Sequence, residues 1–235
     1  MSHYNAEISA GSLMIPESRR IAKLLLTHPT KEQWFEALKL DNVLQKKSPA
    51  TAKRQARLIR NRLDTLNDAA WALIVDGAQE VTTQLLMAAC IKHSRILADY
   101  MRDVYAGHLR RLEQHLSPSK DWETFLAECA QRDPEVANFS DTTKAKMLQV
   151  VLRVLAEAKY LDSTKTVRLT PPHLHPEVVR FLKQNDELVV LSTMDMTTGS
   201  PAGPTSRIRP LVVSSRSTGS SGRVTVVDAV VSVMP

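Results

Sequence analysis

Between Glu17 and Tyr160 the chain contains only two glycines, Gly77 and Gly107, and four prolines, Pro29, Pro49, Pro118 and Pro134. Glycine and proline are the residues that most readily end regular structure. Where they are this sparse and apolar residues recur every three or four positions, the chain is left with helices separated by a few breaks. The first helix opens at Pro16, with Glu17 at the positive end of the helix dipole, and sets Ile21, Leu24, Leu25 and His28 on one face. Pro29 ends it. Thr30 and Gln33 then form a T-x-x-Q capping box, leading a second helix through Trp34, Phe35 and Leu38.

Ser48 and Pro49 mark a third start, a hydroxyl cap followed by a proline whose missing N–H costs nothing in the first turn. At about 100° per residue, Ala52, Ala56, Ile59, Leu63 and Leu66 make a dry stripe, while Lys53, Arg54, Arg57, Arg60 and Asn61 gather opposite it. The two alanines would let a preceding helix approach closely. Three short helices ending in such a pair read as a helix-turn-helix module over residues 1–67.

Residues 68–118 read as a helical connector, with Leu85, Leu86, Ala89, Ile96, Leu97 and Tyr100 as core candidates, closed by Ser117–Lys120. Residues 119–195 repeat the earlier plan. A helix with Trp122, Phe125, Leu126 and Cys129 is followed by a break at Pro134, a cap at Ser140 and a long helix to about Ala158. The broad apolar side of that helix includes Ala145, Leu148, Val151, Leu152 and Leu155, and the opposite stripe is Thr142, Lys146, Gln149 and Arg153. Two β-prone runs follow, 165–169 and 187–191, flanking a short helix over Pro176 to Gln184. The expected class is therefore mainly α, with a C-terminal winged-helix-like module carrying a small β-hairpin. Residues 196–235 change in kind, with four of the seven glycines, eight serines and no aromatic residue. A disordered or non-native tail is expected there.

The functional signal lies in residues 46–63, KKSPATAKRQARLIRNRL, which hold seven Lys or Arg and no acid. Like charges three or four apart repel on a helix, so an external anion is expected to neutralise them. The chain's formal charge of +6 agrees. A plain solvated face is the bland alternative. An anionic membrane surface fits less well, because Ala52 and Ala56 occupy the side where an interfacial helix carries Trp, Phe or Leu. Duplex DNA is the favoured ligand: Lys46, Lys47 and Arg62 on phosphates, Ser48 capping, Thr51, Arg54, Arg57 and Asn61 nearest the groove, and Lys53 and Arg60 on the same DNA-binding face. Five to seven neutralised phosphates would give a salt slope of about −5 to −6. Thr142, Lys146, Gln149 and Arg153 form a second, weaker candidate stripe, with Glu157 extending it in the wrong sign and Lys165 and Arg168 as wing contacts.

Enzymatic signatures are missing from the sequence: there is no Gly-rich phosphate loop, H-E-x-x-H, G-x-S-x-G or paired-cysteine zinc spacing. No catalysis and no cofactor or metal is expected. His93, His108 and His115 are placed on helices, and the HLH at His173 to His175 in a turn. Asp99 and Asp103 are the nearest thing to a metal-binding acid pair, but Arg95 and Arg102 make ion pairs the simpler account. Cys90 and Cys129 read as reduced core thiols. With neither a signal-peptide pattern nor an apolar run long enough to span a bilayer, a cytoplasmic location is expected.

Three stretches, LMIPESRRIAKLLL (13–26), AACIKHSRILADYM (88–101) and KMLQVVLRVLAEAKYL (146–161), resemble the BrxA family of BREX (bacteriophage exclusion) phage-defence systems. The resemblance covers about residues 5–195 and rests on apolar-rich signatures without catalytic chemistry. It implies a small cytoplasmic DNA-binding component with helix-turn-helix and winged-helix modules, acting beside other BREX proteins. The family has also been compared with the RNA-binding antitermination factor NusB, so RNA remains an alternative ligand. A protein-interaction scaffold within the defence complex remains another.

Overall fold

A computed structural model describes residues 4–196; the expected tail lies outside the described residues from 197 onward. Helix α1 (Ile15–Leu25) starts with Pro16 in its first turn and buries Ile21, Ala22 and Leu25. His28 does not share that face. It lies beyond the helix end at positive φ, exposed, with its ring 3.0 Å from the Asp68 carboxylate. Helix α2 (Lys31–Lys39) carries the capping box in full, Gln33 N donating to Thr30 Oγ1 and Thr30 N donating to Gln33 Oε1. Helix α3 (Pro49–Leu63) is capped by Ser48 and buries Ala52, Ala56, Ile59 and Leu63.

Helix α4 (Asp68–Asp76), capped by the Asn67 side chain, leads into α5 (Gln79–His93). Every residue of α5 from Val81 to Ile91 is buried. The helix packs against α1, α3 and α4 on one side and against two later helices, α10 (Pro176–Gln184) and α11 (Leu188–Met194), on the other. A helix covered all round must satisfy its polar side chains internally. Thr82 donates to Ile74 O, Thr83 donates to Gln79 O, and Gln84 donates to His173 O while accepting from His175 N.

The next helix runs unbroken through α6 (Arg95–Asp99), a π-helical stretch Tyr100–Tyr105 and α7 (Ala106–Arg110). The wider π turns bring Tyr100, Met101 and Tyr105 into the core together. Helix α8 (Pro118–Arg132), a 3-10 turn over Pro134–Asn138 and α9 (Asp141–Glu157), capped by Ser140, complete the order before α10 and α11. One hydrophobic cluster runs through all three segments delimited in sequence, from Tyr4 to Met194.

The β-hairpin expected between 165–169 and 187–191 is not present. Residues 187–191 fall at the start of α11, because Val190 and Met194, four apart, are buried while Tyr160 Oη donates to the Met194 carbonyl. Tertiary burial overrides the local β preference of a Leu-Val-Val-Leu run. Residues 165–169 do pair, but with other partners: Leu169 bridges antiparallel to Leu161, and Arg168 to His115. His115 therefore lies on an extended segment, not on a helix. His175 caps α10, its Nδ1 accepting from Glu177 N.

Gln84→Leu would leave the His173 carbonyl and the His175 N–H without their partner inside the fold. A loss of about 2–3 kcal/mol is expected in denaturant titration followed by circular dichroism.

Candidate nucleic-acid interface

Helix α3 has the dry and charged sides its sequence predicts, but the charged side divides into three classes. Lys47, Lys53 and Arg54 are exposed and have no carboxylate within ion-pair distance among the described residues. Arg57 is 76% exposed, with Glu7 at 3.9 Å, too far and too wet to hold it. Arg60 is partly occupied: its guanidinium stacks over Trp34 at 4.6 Å and lies 3.6 Å from Asp64. Thr51 and Asn61 are half-buried beside them, and Ser48 is exposed at the cap.

Two of the predicted phosphate ligands are otherwise engaged. Lys46 Nζ lies 2.6 Å from Glu17 Oε1, and both side chains are mostly covered. Burial alone would raise the Glu17 carboxyl, yet the hydrogen bond from Lys46, with the backbone bond and Arg20, holds it below its ordinary value. Arg62 is buried, donating to the carbonyls of Gly11 and Ser12. Its position on the helix explains this: Leu58, four residues earlier, is also buried and shares its side. Neither residue is available to a phosphate.

The second stripe is exposed along its whole length: Thr142, Lys146, Gln149 and Arg153 all face outward on α9, and Lys146 Nζ donates to Gln149 Oε1. Glu157 leaves that stripe and accepts from Ser12 Oγ (2.9 Å) and Leu13 N (2.8 Å). Lys165 is exposed on the turn before the bridged segment, and Arg168 is exposed with Asp162 at 3.9 Å. Both helices border the N-terminal stretch that includes the 3-10 turn Glu7–Ala10. Elsewhere, Asp99 is buried, accepts from Tyr4 Oη at 2.6 Å and pairs with Arg95, Arg102 and Arg132. Among the described residues no group of three or more His, Cys, Asp or Glu is arranged to hold a metal, and no helix is long and apolar enough to cross a membrane.

The BrxA family model matches residues 2–186. The chain belongs to the BrxA family. Its relatives include the BREX protein BrxA of Paramagnetospirillum magneticum, 40% identical over 194 residues, covering 83% of this chain and 97% of that one. The BREX protein BrxA of Escherichia coli O9:H4 is 38% identical over 188 residues, covering 79% and 88%. A crystal structure of an uncharacterized protein from Magnetospirillum magneticum has the same fold, with a TM-score of 0.76 at 38% identity, over 83% of this chain and 99% of that one. The family thus places the chain among the components of BREX phage-defence systems.

Three residues that sequence reading missed shape this BrxA surface: Glu7 beside Arg57, Glu17 on Lys46, and Trp34 beneath Arg60. Each acts across a long sequence separation, and no local pattern marks it. Glu7 also meets His93, whose Nε2 lies 3.1 Å from the carboxylate. Burial first, and then the neighbouring Arg62, hold the His93 imidazole below its ordinary value against the opposing pull of Glu7. A depressed imidazole means that the unfolded chain binds the proton more readily than the folded one. Stability is then full above the ordinary imidazole range and falls as pH drops through it toward the folded value. His93→Gln should flatten that acid limb in melting temperature measured against pH.

Proposed function

We propose that this BrxA chain is a non-enzymatic component of its BREX system that binds duplex DNA, largely through the phosphate backbone. The observation that carries the reading is the row of exposed cations, Lys47, Lys53, Arg54 and Arg57, on one side of a capped helix whose other side is fixed in the core. Such a row matches a polyanion, and the capped N-terminus adds N–H groups of the same polarity. Helices α2 and α3 serve as a helix-turn-helix in this reading.

The order of elements further along supports a winged-helix unit. Helix α7, the segment 114–116, α8, α9 and the paired segments around 161 and 169 follow one another, and isolated bridges join Arg168 to His115 and Leu169 to Leu161. Helix α9 would then be the second reading helix, with Lys165 at the wing. A protein-interaction role has its own support in Phe35 and Leu40, 55% and 72% exposed at α2, which could meet another BREX protein.

With Lys46 and Arg62 engaged elsewhere, four or five phosphates are left for α3, and the expected dependence of log K on log salt has a slope of about −4. Labelled duplex titrated over a salt series measures it; a slope near zero removes the electrostatic reading. Arg57→Glu combined with Lys53→Glu should abolish the band shift while leaving helical circular dichroism unchanged. A shift that structured RNA outcompetes would move the ligand from DNA to RNA.

A further inference from the structure

The two charged groups that fit neither basic stripe converge on one tripeptide. Arg62, near the C-terminal end of α3, donates from Nη2 to Gly11 O at 2.8 Å and from Nη1 to Ser12 O. Glu157, the last residue of α9, accepts from Leu13 N at 2.8 Å and from Ser12 Oγ at 2.9 Å. The cation takes the carbonyl side of the Gly11–Leu13 backbone and the anion takes its N–H side. The Ser12–Leu13 peptide unit lies between opposite charges, its C=O accepting from Arg62 and its N–H donating to Glu157, so each polarises the other's hydrogen bond. The stretch is anchored at both ends, with Tyr4 N held by Asp133 and Leu13 fully buried. It therefore acts as a rigid spacer between the ends of the two candidate reading helices.

We infer that Arg62 and Glu157 are positioning residues that fix the separation of α3 and α9, so that both helices engage one duplex at once. The inference rests on the DNA-binding reading above and adds the geometry of engagement. Two surfaces held at a fixed spacing bind a long ligand with a high effective concentration of the second contact, and a short ligand reaches only one of them. Loss of the clamp lets the spacing vary and removes that gain while every phosphate-contacting side chain remains.

The test uses the full chain and two blunt DNA duplexes of unrelated sequence, about one and about three helical turns long. After correction for the larger number of binding positions, the wild type should bind the long duplex on the order of tenfold or more tightly than the short one. Lys146→Ala with Arg153→Ala, both on the exposed face of α9, should erase this length step by removing the second contact. Glu157→Gln should erase it too, although the cations are intact. If that variant does not fold, Ser12→Ala, which removes only the hydroxyl bond, should reduce the step. A residue that merely stabilises the fold would lower the melting temperature and leave the length step in place. A wild type that binds duplex without a length step, or a folded clamp variant that keeps the whole step, overturns the inference. A wild type that binds no duplex overturns the DNA-binding reading, and the inference with it.

Discussion

Enclosure of α5 on every side is the condition on which the rest of the fold depends. Its residues from Val81 to Ile91 are all buried, so neighbours must surround it and its three polar side chains must bond inward. Thr82 and Gln84 do this by holding backbone groups of the α4 end and of the 173–175 segment, pieces of chain far apart in sequence. The helix thereby fastens elements from both halves of the chain to one axis. The stretch read from sequence as a connector is the centre of the core, and it gives α3 a rigid base.

The cations of this protein do two kinds of work. Lys53 and Arg54 reach water, whereas Arg62 and Arg19 turn inward and bind main-chain carbonyls, Arg19 closing the end of α4 through Val75 and Gly77. A guanidinium suits the second task because its rigid fork can serve two carbonyls at once. Formal charge counts both kinds alike, and so overstates the field available to a polyanion.

The local grammar was readable from the chain. The Thr30–Gln33 box, the Ser48 and Ser140 caps, the dry stripe of α3 from Ala52 to Leu63 and the outward stripe of α9 each depend on neighbours within a few residues and stand where their spacing puts them, whereas Leu66 falls beyond the end of α3. Long-range effects were not readable. Residues 187–191 have a strand's composition, but Val190 and Met194 find burial at helical spacing, and nothing within the run reveals that. Lys46 and Glu17 are separated by 29 positions, and only the packing of α1 beside the α2–α3 link brings them together. Arg62 is the intermediate case, since Leu58 on its side of the helix already hinted that this side is covered.

The grip on Gly11–Leu13 is made mostly to main-chain atoms, with the Ser12 hydroxyl the one side chain that takes part. Main-chain groups are the same whatever residue bears them, so these hydrogen bonds make no demand on the side chains at 11 and 13, and it is core packing that constrains Leu13. The trace of this contact in an alignment would fall on 62 and 157, two sites of opposite charge nearly a hundred residues apart that never touch each other. Their linked variation would look like a direct contact, and a distance restraint drawn from it would pull α3 and α9 too close together.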